Sequence, residues 1–262
     1  MDISKLIRDV LVFDMKSIGV RFTRLGRIIR RWLYRVMHGS GQSDIRDIPV
    51  IINNRNRLTY LMQLVKWCEE AGFRRIIILD NLSDYPPLLN YYESCPHQVI
   101  RLGANVGPRA VWQSAATKDI IRHYYIYSDA DVLPDSECDL NTIAEMKWEL
   151  GNNVFLEKVG LGLHIDDLPD HFRLKDEVIK WESQFWNKPV ERGFYAAPVD
   201  TTFAIYAPYA QGGGECRALR TGNGRLARHL PWYENSAAPG EESLYYIQHA
   251  APLASHWTEL TK

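Results

Sequence analysis

The stretch Tyr124-Tyr-Ile-Tyr-Ser-Asp-Ala-Asp-Val-Leu133 decides how this chain is read. Its aromatic and β-branched run, Tyr124 to Tyr127, has the composition of a short buried strand. Ser128 opens the loop at the strand's carboxyl end. Two carboxylates follow one residue apart, Asp129 and Asp131. Aspartates at i and i+2 of a strand end can reach one centre together. A hard divalent cation is the simplest such centre, because it prefers carboxylate oxygens and also takes phosphate oxygens. An Asp-x-Asp in isolation is more often a plain polar turn, so the surrounding chain has to supply the context.

That context is a repeated alternation of strand and helix. Pro49-Val-Ile-Ile52 reads as a buried strand ending in the polar cluster Asn53-Asn-Arg-Asn-Arg57. Residues 58–71 follow as a helix with Leu58, Leu61, Met62, Val65 and Cys68 as its core stripe, stopped by Gly72. Arg75-Ile-Ile-Ile-Leu79 is the next strand and ends in Asp80-Asn81. Residues 84–94 form a helix with Pro86 and Pro87 in its first turn. Gln98-Val-Ile-Arg-Leu102 ends in Gly103-Ala-Asn-Val-Gly-Pro108, and a helix over 108–119 leads to the opening stretch. Near-continuous apolar strands separated by helices specify a mostly parallel, helix-covered α/β sheet of Rossmann-like kind. Right-handed crossovers bring the carboxyl ends of such strands to one edge, where ligands bind. Residues 53–57, 80–81, 105–109 and 129–131 converge there. No Gly-x-Gly-x-x-Gly and no Walker loop is present, so a metal has to hold any phosphates.

The alternation stops at 136. Residues 139–150 read as a helix, Asn153-Val-Phe-Leu-Glu157 as a strand, and Val199 to Tyr206 as another. Gln211-Gly-Gly-Gly214 is a loop, Arg228-His-Leu-Pro-Trp-Tyr233 a compact aromatic and basic stretch, and Pro239-Gly-Glu-Glu-Ser243 leads into a last helix.

The 262 residues, 46% hydrophobic and 24% charged, fit an ordinary globular protein, and the net charge of −1 gives no reason to expect nucleic acid. The four cysteines are scattered with no Cys-x-x-Cys pair, which argues against a zinc ribbon or disulfide framework and fits a reducing cytosol. No apolar run approaches the roughly 20 residues of a spanning helix. The charge is uneven, however. Residues 1–42 carry nine Lys/Arg against three acids, leaving 22 basic against 29 acidic residues in 43–262. Residues 20–38 read as an amphipathic helix with Phe22, Leu25, Ile28, Ile29, Trp32, Leu33, Val36 and Met37 on one side and arginines on the other. Such a helix suits an anionic membrane surface at the inner face of the cell membrane. It equally suits docking on its own domain or on a second subunit. Two parts are thus expected: a basic helical segment, 1–42, and a main domain, 43–262. The domain divides where the alternation stops, into 49–135 and 136–262.

Residues 49–257 resemble the GT-A glycosyltransferases, in particular the inverting family 2 type. Pro49 to Arg57 looks like the family's opening strand and polar end, Ile78-Leu-Asp-Asn-Leu-Ser83 like its second strand, and Asn105-Val-Gly-Pro108 like its Asn-x-Gly turn. Ser128-Asp-Ala-Asp131 looks like its metal-binding Asp-x-Asp, Gly240-Glu-Glu242 like its Gly-Glu-Asp base element, and His256 like its late metal-binding histidine. Glu stands where Asp is usual in the base element, and the following Leu comes one residue early. The Gln-x-x-Arg-Trp signature of processive synthases is absent, which implies transfer of a single sugar.

The resemblance implies a nucleotide-sugar donor bound by the 49–135 half, with uridine the expected base, and a glycan or lipid-linked glycan acceptor bound by the 136–262 half, in surface polysaccharide synthesis. It implies Mn²⁺ or Mg²⁺ held by Asp131, Asp129 and His256, where a histidine nitrogen suits Mn²⁺ better. Glu242, with Glu241 in reserve, is the expected base. Asp80 meets the uracil or ribose, with Asn53 and Arg55 beside it. Asn105 and Arg109 meet the nucleotide or diphosphate, and Arg57 is expected to be a solvated surface cation. Asp200, Trp232 and Tyr233 are the expected acceptor-side residues, since aromatic rings stack on sugar faces. A sugar nucleotidyltransferase is the main alternative, weakened by the lack of Gly in residues 53–57. A non-catalytic glycan-binding protein is the other.

Overall fold

A computed structural model describes residues 18–38, 44–200, 202–212 and 217–249. The chain separates into two compact units, residues 1–42 and 43–262. In the first unit, helix α1 (Ile18–His38) forms where the amphipathic pattern places it. Ile29, Trp32, Leu33, Val36 and Met37 of its apolar stripe are exposed, whereas Ile28 is buried. Among the described residues no helix is long and apolar enough to cross a membrane.

The second unit opens with the expected alternation: β1 (Val50–Asn54), α2 (Thr59–Glu70), β2 (Ile76–Asp80), α3 (Pro86–Ser94) and β3 (Gln98–Arg101). After a single-turn helix, α4 (Ala110–Gln113), comes β4 (Tyr125–Asp129). Then follow β5 (Val132–Pro134), α5 (Leu140–Asn152), β6 (Lys158–Gly160), β7 (Gly162–Leu163) and α6 (Lys175–Ser183). The chain continues through β8 (Pro189–Val190), β9 (Phe194–Tyr195), β10 (Ala204–Tyr206), β11 (Ala218–Thr221), β12 (Leu226–His229) and α7 (Glu241–Gln248).

Among the described residues the main sheet has the strand order β3-β2-β1-β4-β10-β6-β11-β9-β8. β3, β2, β1 and β4 run parallel; β10 runs antiparallel to both β4 and β6. The expected helix-covered α/β sheet is therefore present, parallel in its first half and mixed beyond it. β1, β2 and β4 are near-continuous apolar runs because they lie at the centre: Val50, Ile51, Ile52, Ile77, Ile78, Leu79, Tyr125, Ile126 and Tyr127 are fully buried. Register then fixes where polarity begins. Asn53 lies opposite Asp129, and Asn54 opposite Asp80, so the polar ends of three strands share one edge. A second sheet, β5-β12-β7, stands beside that edge.

Four local expectations need correction. The helix expected over 108–119 is broken into short turns around α4. Ser114 takes extended backbone and its Oγ accepts from Ala116 N, a local capping bond that competes with the helix. Met62 is exposed; the buried face of α2 is Tyr60, Leu61, Leu64, Val65 and Cys68. Residues 153–157 form no strand, because the Asn153 side chain accepts from Phe155 N and turns the chain. The strand expected over 199–206 is confined to β10.

Candidate active site

Asp129 ends β4 and Asp131 follows the sheet edge. Asn53 Nδ2 donates to Asp129 Oδ1 at 3.1 Å, while Ala130 N bonds to Asn53 O and fixes the loop between the two aspartates. Asp131 is only partly exposed, and its backbone carbonyl accepts from Leu230 N at 2.8 Å. That bond continues the antiparallel pairing of β12 with β5, in which His229 lies opposite Val132. The pairing carries His229 Nε2 to 3.8 Å from Asp131 Oδ2. This is too long for a hydrogen bond. It is a spacing that two ligands of one cation can have, each about 2.1 Å from the ion.

His229 is half-buried against Trp232, ring centroids 4.7 Å apart, and its Nδ1 is buried without a hydrogen-bond partner. Burial holds the imidazole below its ordinary pKa, and Arg57 adds to this, while Asp131 and Asp200 oppose it. The neutral ring is the form that ligates metal. Asn53 Oδ1, Arg55 Nε, Arg57 Nε and Trp232 Nε1 are also buried without partners. Native proteins leave few such atoms, and their gathering around one strand edge is the signature of a site that takes a ligand or ordered water.

The β1–α2 loop forms the neighbouring wall. Asn56 has φ 53, in the left-handed region that Asn tolerates better than most residues. Its buried side chain accepts from Asp84 N and Tyr85 N and donates to Asp84 Oδ1. Arg57 consequently turns inward and is 5% exposed. The expectation of a solvated Arg57 is thus overturned. Its guanidinium stacks 3.8 Å from the Tyr246 ring centroid and donates through Nη1 to Ser243 Oγ at 3.0 Å. Ser243 Oγ donates in turn to Glu234 Oε1 at 2.7 Å, and Tyr60 OH donates to the same carboxylate. Arg55 Nη2 bonds to His249 O, tying this wall to the end of α7.

Glu234, Glu241 and Glu242 line one depression of about 390 Å³ with Thr59, Tyr60, Tyr85 and Ser243. Glu242 accepts from Thr59 N at 2.9 Å and from Thr59 Oγ1 at 3.0 Å. It therefore caps α2, whose own N-cap residue Leu58 makes no side-chain bond. Glu241 is exposed and makes no hydrogen bond among the described residues.

The other expected residues fall as follows. Asp80 is 1% exposed, its carboxylate accepting from Ser83 N and Tyr92 OH, so it orders the end of β2. Asn105 Oδ1 accepts from Gly107 N, whose φ of 72 lets the loop turn. Asn81 clamps the same loop by bonding Val106 N and Gly107 O. Arg109 is exposed and donates to Gly212 O at 2.8 Å. Asp200 is exposed and lies near enough to His229 to raise its pKa. Trp232 is buried under His229, and Tyr233 OH donates to Asp167. His256 lies outside the described residues.

His164, Asp166 and Asp167 form a His/Asp/Asp group with ligand atoms within 4.8 Å of one another. Both ring nitrogens of His164 already face carboxylates, Asp135 and Asp166, and Arg228 bonds Asp135 and Asp167. Protein partners thus satisfy this group.

The sequence reading missed His229. Its only trace was the compact stretch from Arg228 to Tyr233, and the β12–β5 pairing that gives it meaning is non-local. No protein-family model and no curated protein matches the chain. Among solved structures, the crystal structure of GalNAc-T7 with UDP, GalNAc and Mn²⁺ is similar to it, with a TM-score of 0.45 and 12% identity over 80% of this chain and 52% of that one. The chain thus spans about half the length of that structure.

Proposed function

We propose that the chain is a metal-dependent glycosyltransferase. It moves one sugar, with inversion, from a UDP-linked donor to a glycan or lipid-linked glycan acceptor of surface polysaccharide. The observation that carries this reading is the meeting of Asp131 and His229 on the strand edge shared with Asp129, among buried polar atoms that lack protein partners. A carboxylate and a neutral imidazole suit Mn²⁺ or Mg²⁺, and the nitrogen favours Mn²⁺. Asp129, steadied by Asn53, completes the set directly or through water. Such a cation, when bound, supplies the Lewis-acid charge that a leaving diphosphate needs.

The protein's own residues do the remaining work in this reading. Asn53, Arg55, Asn105 and Arg109 are on the donor side, with Asp80 acting by ordering the edge. Asp200, Trp232 and Tyr233 frame the acceptor side with the depression that holds the three glutamates. Glu241 is the carboxylate that takes the acceptor hydroxyl's proton. Two facts favour it over Glu242. Glu242 is held by Thr59, so its carboxylate is already engaged as the cap of α2. Leu244 also stands three residues after Glu241, which restores the spacing that the family's base element has. Loss of the proton on one face with departure of the diphosphate on the other gives inversion.

The two glutamates are separable. Glu241→Gln is expected to lower kcat by about 10²–10⁴-fold, the usual worth of a general base, with little change in Tm. Glu242→Gln is expected to weaken the cap of α2 and lower stability by about 0.5–2 kcal/mol, with the smaller effect on kcat. Steady-state kinetics with a thermal melt reads both. Full activity in Glu241→Gln would remove Glu241 from the reaction.

A further inference from the structure

Arg57 is a buried cation with no carboxylate within ion-pair distance among the described residues. It is 5% exposed, its Nε is buried without a partner, and its one side-chain hydrogen bond among the described residues goes to a neutral hydroxyl, Ser243 Oγ. Glu234 is reached only through that hydroxyl. An isolated buried charge is costly unless something compensates it. Two aromatic faces give part of the compensation, Tyr246 at 3.8 Å and Tyr60 at 5.2 Å. They stack on the planar guanidinium and orient it, yet leave its donors unused. The strained Asn56 backbone, locked by Asp84 and Tyr85, holds the side chain in this inward position.

The guanidinium belongs to the loop at the carboxyl end of β1, the strand whose Asn53 bonds Asp129, and it stacks on Tyr246. Asp131 and Asp129 both act on the Tyr246 hydroxyl, and Arg57 acts on His229. A fixed cation therefore stands near the candidate metal pair, Asp131 with His229. A ligand that satisfies both must carry several anionic oxygens within a short span. A diphosphate does so, and the forked guanidinium matches phosphate oxygens better than a point charge would.

We propose that Arg57 is the protein's phosphate-receiving cation, oriented by the Tyr246 and Tyr60 rings to bind the diphosphate beside the Asp131–His229 pair. The assignment rests on the glycosyltransferase reading for the identity of the diphosphate as the donor's, and on Arg57's surroundings alone for the anion site.

The test is calorimetric titration of the full chain in Mn²⁺ with uridine, UDP and inorganic pyrophosphate, for the wild type, Arg57→Met and Arg57→Lys. In the wild type UDP should bind well ahead of uridine, and pyrophosphate should bind on its own. Arg57→Met should cut UDP and pyrophosphate affinity by at least about tenfold, the least that losing a charge-assisted bond costs, and leave uridine unchanged. Arg57→Lys keeps the charge without the fork and should fall between the two; it carries the test if Arg57→Met does not fold. Wild-type binding of pyrophosphate without any nucleoside preference would fail the donor reading while keeping the anion site. No pyrophosphate binding by the wild type overturns the anion site. So does an unchanged UDP-to-uridine ratio in folded variants, and a lower Tm alongside it would make Arg57 a structural pin of α7.

Discussion

Replacing Asp131 with Ala is expected to abolish most nucleotide-sugar turnover while leaving the fold intact. Asp131 contributes to the fold through its backbone carbonyl, which receives Leu230 N, and the alanine retains that carbonyl. The side chain faces His229 at 3.8 Å and forms no hydrogen bond among the described residues. Its loss leaves only His229 and Asp129 of the proposed ligand set. A Lewis acid at a leaving diphosphate supplies several kcal/mol of charge stabilisation. Losing about 4 kcal/mol of it corresponds to about a thousandfold in kcat/KM. Tm should stay close to that of the wild type, because a partly exposed carboxylate without hydrogen bonds has little to lose. Turnover within tenfold of wild type would place the metal elsewhere or nowhere.

Arg220→Leu is expected to be the most destabilising single change outside the site. Arg220 and Glu182 are 3% and 6% exposed, and Nη1 meets Oε2 at 2.6 Å. Arg220 Nε also bonds Pro198 O, and its guanidinium lies 4.1 Å from the Phe185 ring centroid. The pair joins α6 to β11, under the segment that leads to Asp200. Removing the cation strands a carboxylate in the interior, at a cost of about 3–5 kcal/mol. Burial already pushes the Glu182 carboxyl above its ordinary value, and only Arg220 opposes this substantially. Without Arg220 the folded pKa rises further above the unfolded one, so the folded variant binds the additional proton. Its stability deficit should therefore grow as pH rises above the ordinary carboxylate range and shrink as pH falls towards it. Urea denaturation at two pH values reads this directly. A double variant, Arg220→Leu with Glu182→Leu, should recover much of the loss, since neither charge is then buried alone.

The half of the molecule that repeats itself was legible. β1, β2 and β4 are apolar because both of their faces are covered, and that composition identifies parallel strands without any knowledge of their partners. Asp129, Asp131 and Asn53 followed, since parallel strands deliver their carboxyl ends to one edge. Residues beyond 136 were harder because their pairing is non-local. His229 acquires its place only when β12 lies against β5, residues separated by almost a hundred positions. Arg57 was misjudged for a related reason. Its cluster of arginines and asparagines reads as solvated, and only the φ of Asn56 with its bonds to Asp84 and Tyr85 turns it inward. The broken helix at 108–119 is a local failure: Pro108 and Ser114 carry turn chemistry inside an otherwise helical pattern. Glu242 shows the remaining difficulty, for an acid in the first turn of a helix can serve its own helix, a reaction, or, as here, the open end of another helix.

Asp131 and His229 are proposed to form a cation-dependent diphosphate site. The most direct measurement is the thermal shift produced by UDP with and without Mn²⁺ in the wild type and in His229→Ala, because a ligand of the native state raises apparent stability with its occupancy. The wild type should show a UDP shift that needs Mn²⁺ and disappears with chelator, and His229→Ala should lose most of it. A UDP shift of equal size without Mn²⁺, or one that survives unchanged in His229→Ala, would contradict the site as described.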